Sequence, residues 1–214
     1  MKIAIFLHHP KCSVQSVNGI IQALSPNYTF KIFTKHPVES DFFDDVDCIC
    51  FPGGIGDSNT FGAAVLSHKK KIKQLVKSGT KYLGICMGAY WADRFYFDIL
   101  DNLRVSQYIK RPNADTKRPH PKNQAVLWKT KTDTMFFYDG CAIHGTGLDY
   151  SQIWALYPNG DAMAVIQNNI GLIGCHPEST EHWYKSYSWM NNGYHNGVHH
   201  RLLLDFVNNL MKKS

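Results

Sequence analysis

The chain opens on an apolar run from Ile3 to Leu7, and an unbroken run of this length predicts a strand over residues 2–7 that is buried on both faces. Ser13 then offers an N-cap to a segment in which Val14, Val17, Ile21 and Leu24 recur at helical spacing. A first helix is expected there. Residues 28–33 and 46–51 read as two more strands, each stopped by turn chemistry, Thr34-Lys35-His36-Pro37 and Pro52-Gly53-Gly54. A long helix is expected over residues 61–77, ended by Gly79, and residues 81–85 supply a fourth short apolar strand.

From about residue 95 to 150 the pattern changes to short strand-like runs, 125–128 and 134–137, with polar, proline-containing loops around 111–122. This predicts a β-rich antiparallel insertion or extension. Residues 161–167 and 170–175 flank Asn168-Asn169, a pair that tolerates the positive φ of a tight turn, so a hairpin should deliver the chain to His176. Residues 193–200 read as a polar, His-rich connector. In residues 201–211 Leu203, Phe206, Val207 and Leu210 repeat at helical spacing, which predicts a docking helix. Strands alternating with helices imply an α/β fold, a mostly parallel sheet with helices on both faces, formed as a single domain over residues 1–214. Functional loops should then gather at the C-terminal ends of the parallel strands.

Composition narrows the classes. An apolar fraction of 44 % and 19 % charged residues describe a globular chain with a sizeable core. The net charge of +6 is spread along the sequence, and its densest group, Lys69, Lys70, Lys71 and Lys73, reads as a solvated helix face, so no nucleic-acid partner is expected. The N-terminal apolar run is too short for a signal peptide or a membrane span, which predicts a cytoplasmic protein without a membrane partner. The six cysteines show no C-x-x-C spacing, and Cys48 and Cys50 fall on one face of a strand, so buried reduced thiols are expected. His195-x-x-x-His199-His200 has a metal-like spacing but no partnered carboxylate or cysteine, and neither a metal nor a cofactor is expected.

Two segments carry chemistry. Gly84-Ile85-Cys86-Met87-Gly88 follows a buried strand and precedes a helical stretch, the glycine–x–nucleophile–x–glycine spacing of a nucleophile elbow. The Met87 N–H would lie where an oxyanion forms. Cys175-His176-Pro177-Glu178 closes another strand, where His176 can accept the thiol proton and Glu178 can fix the imidazole tautomer. His8 and His9 after the first strand, together with Tyr138 and His144, are candidate substrate contacts.

These segments resemble the class I glutamine amidotransferases, a flavodoxin-like family with its cysteine in such an elbow and its histidine and glutamate in a late His-Pro-Glu. Phe51-Pro52-Gly53-Gly54 is similar to the family's early loop, which implies backbone oxyanion donors at Gly54 and Ile55. The run from Tyr82 to Tyr90 and the segment from Phe136 to Gly140 extend the resemblance, most closely to the amidotransferase-like N-terminal domain of biotin–protein ligases. A related family of thiol proteases and deglycases places histidine directly after its cysteine, where this chain has Met87. The resemblance implies a Cys-His-Glu amide or acyl hydrolase, or an amidotransferase-like enzyme. It would act on a small-molecule amide or acyl compound, with a synthetase or ligase as its partner protein. The alternative is a non-catalytic binding or regulatory module on the same fold.

Overall fold

The computed structural model describes residues 1–8, 13–54, 62–63, 65–190 and 192–212. Its centre is a parallel sheet made by the most apolar stretches. β1 (Lys2–Phe6) pairs with β2 (Thr29–Phe33) on one side and β3 (Cys48–Phe51) on the other, then come β4 (Lys81–Ile85) and β11 (Ile170–Ile173). The register sets Ile3 opposite Cys48, Cys50 opposite Leu83 and Leu83 opposite Gly171. Beyond β11 the sheet turns antiparallel through β10 (Ala162–Gln167), β9 (Ile153–Leu156), β6 (Lys122–Trp128) and β7 (Lys131–Phe137). β8 (Cys141–His144) pairs with β10 and with β5 (Arg104–Gln107). The turn between β10 and β11 has Asn168 at φ 53°, as its sequence predicts.

Period-two alternation divides the core into two layers. Ile3, Ile5, Cys48, Cys50, Leu83 and Ile85 face α1 (Val14–Leu24) and α5 (Val198–Lys212). Ala4, Phe6, Ile49, Phe51 and Tyr82 face α2 (Lys69–Lys77) and α3 (Met87–Trp91). A short α4 (Glu181–Lys185) packs Trp183 and Tyr184 against Phe136. The fold is therefore the expected helix-covered α/β arrangement, mostly parallel at its core. Among the described residues no helix is long and apolar enough to cross a membrane.

Three local expectations give way to tertiary contacts. The buried face of α1 is Ser16, Val17, Ile20, Ala23 and Leu24, while Val14 is exposed, because Ser16 is drawn inward to bond Glu178. In place of an unbroken helix over 61–77, residues 66–68 form a turn and regular helix starts at Lys69. His68 anchors that turn, its Nε2 2.6 Å from the Thr34 carbonyl and its ring against Phe6 and Phe33. The expected connector over 193–200 ends early, since α5 begins at Val198 and buries His199.

Candidate active site

The parallel strands end together at one edge, and the elbow lies on that edge. Cys86 follows β4 at φ 49° and ψ −103°, a left-handed geometry that costs energy in any residue with a Cβ. Its amide donates to the Ile173 carbonyl at 2.8 Å, tying the elbow to β11. The flanking glycines are sterically required. A Cβ on Gly84 would come within 2.5 Å of the Gly88 carbonyl oxygen, and one on Gly88 within 1.9 Å of the Phe51 carbonyl oxygen. Met87 is the first residue of α3, a position whose amide has no acceptor inside the helix.

β11 delivers the second segment. The His176 amide donates to the Phe136 carbonyl at 2.9 Å, and the imidazole Nδ1 lies 2.8 Å from Glu178 Oε1. Glu178 is fully buried. The same carboxylate oxygen accepts a 2.7 Å hydrogen bond from Ser16 Oγ, and Ser16 Oγ accepts one from the Gly53 amide at 3.1 Å. One chain of hydrogen bonds thus joins the Gly53-Gly54 loop, α1, Glu178 and His176. Two more glycines make this packing fit. A Cβ on Gly19 would lie 2.1 Å from the Glu178 carbonyl oxygen, and one on Gly53 2.6 Å from His176 Cε1.

Burial alone would lower the His176 pKa. The charge of the Glu178 carboxylate, and after it the influence of the Cys86 sulfur, outweigh that effect with the help of hydrogen bonding, and the imidazole is pushed up to about 10. In four other buried thiols burial favours the neutral form. Desolvation raises Cys50 and Cys141 well above the ordinary thiol value and raises Cys48 and Cys175 as well, so these four stay protonated. Among the described residues five cysteines are free and buried, Cys86 being the one beside a histidine–carboxylate pair.

A cavity of about 210 Å³ opens over His176, Gly53 and Gly54. Tyr138 lines it, and the Tyr138 carbonyl lies 3.8 Å from Cys86 Sγ, so one residue touches both the cavity and the thiol. Cys86 itself is only 5 % exposed and is not among the described lining residues. Phe136, Trp183 and Tyr187 supply an aromatic wall that sequence reading missed. Ser16 was missed too, although a serine one turn ahead of Ile20 on an apolar helix face is a detectable signal.

The remaining candidates fall in different places. His8 is partly buried just after β1 at the same edge, and neither it nor His144 belongs to the described lining of the cavity. His144 ends β8, its Nε2 3.0 Å from Ser106 Oγ, and burial followed by the charge of Arg111 lowers its pKa. His9 and Ile55 lie outside the described residues. His195 and His200 both approach the Ser179 carbonyl, at 2.8 and 3.1 Å, and His199 stacks on His195. These rings brace the backbone next to Glu178. Among the described residues no three His, Cys, Asp or Glu side chains are grouped as metal ligands.

Comparison with known proteins bears on the fold that carries this site. Residues 7–107 match the family described as biotin-protein ligase, N terminal, a span that contains the elbow and ends before His176. No curated protein matches the chain. A glutamine amidotransferase from Thermotoga maritima superposes with a TM-score of 0.71 at 11 % identity, covering 99 % of this chain and 98 % of that one. One from Methylobacillus flagellatus gives 0.60 at 10 % identity, covering 99 % and 92 %. A further glutamine amidotransferase gives 0.62 at 13 % identity, covering 98 % of each. At these identities the likeness is one of fold. The chain therefore has the class I glutamine amidotransferase-like fold and, over residues 7–107, resembles the N-terminal part of biotin–protein ligases.

Proposed function

We propose that this protein is an amidotransferase-like hydrolase that cleaves an amide or related acyl bond through a Cys86 thioester. The observation that carries the reading is the strained Cys86 beside a buried histidine–glutamate pair at the C-terminal edge of the parallel strands. In this scheme His176 holds the thiol proton while Cys86 Sγ attacks the carbonyl carbon; a C–S bond forms and the carbonyl π pair moves onto oxygen. The amides of Met87 and Gly54, with Ile55 as a third candidate, stabilise that oxyanion. Collapse breaks the C–N bond, and His176 gives its proton to the departing amine. Water then attacks the thioester, returning a proton through His176 and releasing a carboxylic acid and the free thiol. Where the acyl acceptor is an amine in place of water, a synthetase or ligase partner supplies it. Glu178 holds the imidazole through Nδ1 and supports its charge.

The test is turnover of a panel of amides and activated acyl esters by the wild type and by Cys86→Ala. Turnover that disappears in Cys86→Ala is expected. Turnover that survives the substitution would overturn the assignment, and saturable binding with no turnover by either protein would replace it with a binding or regulatory module.

A further inference from the structure

The cavity beside His176 has a chemical character of its own. Phe136 and Trp183 meet edge to face at 5.1 Å, and each also meets the His176 ring, at 5.9 and 5.2 Å. Tyr187 and the half-exposed Tyr138 complete the wall. Among the described lining residues there is no aspartate, glutamate, lysine or arginine, and the charge of the His176 imidazolium is already met by the Glu178 carboxylate at 2.8 Å. A free α-amino acid brings an ammonium and a carboxylate, each of which needs a counter-charge or several hydrogen bonds when withdrawn from water. An aromatic ring needs neither. It gains edge-to-face contacts with rings held at centroid distances of about 4.5–7 Å, the spacing these side chains already keep among themselves. The space of about 210 Å³ is below the roughly 300–1,000 Å³ of pockets for drug-sized ligands, so it suits a single ring with a short linker.

We infer that the cavity is a recognition subsite for an uncharged aromatic group flanking the reacting carbonyl, which makes the substrate an aryl-bearing amide or acyl compound and not free glutamine. The inference rests on Cys86 being the nucleophile, and its test separates the two ideas. Two probes of similar intrinsic reactivity, N-benzyl-2-chloroacetamide and N-(carboxymethyl)-2-chloroacetamide, are compared with iodoacetamide by peptide mapping. In each chloroacetamide reaction the thiolate forms a C–S bond as the C–Cl bond breaks and chloride leaves. Preferential iodoacetamide labelling of Cys86 tests the nucleophile. The benzyl probe should then modify Cys86 about tenfold faster than the carboxymethyl probe. Tyr187→Ala should bring that ratio towards one. Ser186→Lys, at an exposed position on the rim, should raise the relative rate of the carboxymethyl probe without disturbing the core. If iodoacetamide prefers another cysteine, the nucleophile assignment fails. If it prefers Cys86 but the carboxymethyl probe reacts as fast as the benzyl one, the aromatic subsite alone is overturned.

Discussion

Replacing Ser16 by alanine is the most incisive single perturbation of the site, because one hydroxyl joins three elements. The substitution removes the 2.7 Å bond to Glu178 Oε1 and the acceptor of the Gly53 amide at 3.1 Å, both at positions closed to solvent. A hydrogen bond to a charged group contributes about 1.5–3 kcal/mol, and a buried amide left without a partner costs about 1–3 kcal/mol. The vacated volume of one oxygen is too small for a replacement water. After partial relaxation the loss should be about 3–5 kcal/mol, a large share of the typical 5–15 kcal/mol of a domain. For a chain of this size that lowers Tm by on the order of 10 °C. Urea melts of wild type, Ser16→Ala, Glu178→Gln and the double variant form a cycle in which a coupling of about 1 kcal/mol or more is expected, since one change removes the donor of this bond and the other the charge of its acceptor. Iodoacetamide labelling of Cys86 in the single variant should slow as the imidazole loses its fixed orientation. Additive losses, or a Ser16→Ala protein that melts with the wild type, would refute the view that this serine anchors the carboxylate.

Other outcomes follow from the same geometry. Glu178→Gln keeps the shape of the partner but not its charge, so Cys86 labelling or substrate turnover should fall at least about tenfold, and His176→Ala should approach the Cys86→Ala level. Full activity in a folded Glu178→Gln protein would remove the glutamate from the machinery. Because the folded-state pKa of His176 lies above its ordinary 6.5, the protonated imidazole adds stability that is complete below about pH 6.5 and fades as pH rises through about 10. The Tm gap between wild type and His176→Gln should therefore be larger at pH 6 than at pH 11, and an equal gap would contradict the shift. Gly88→Ala sets a Cβ 1.9 Å from the Phe51 carbonyl oxygen, so it should cost about 4 kcal/mol or more and yield little folded protein by circular dichroism; wild-type melting would rule out the close approach.

What could be read from the linear chain was everything encoded over short spans. Continuous apolar runs announced β1, β3 and β4, the alternation of strand and helix announced the layered α/β fold, and Asn168-Asn169 announced its hairpin. The Gly-x-Cys-x-Gly spacing and the two-residue step from His176 to Glu178 were equally visible as short patterns, although the need for Gly88 comes from the Phe51 carbonyl on β3. Tertiary structure decided the rest. Ser16 meets Glu178 across 162 residues and Gly53 across 37, so no pattern inside α1 could reveal either partner. The aromatic wall joins Phe136 of β7 to Trp183 of α4 only because β11 carries the chain back beside β4. The inward face of α1 and the turn at His68 departed from periodicity for the same reason: a buried hydrogen bond or ring contact outweighs the small differences in local helical preference that the sequence expresses.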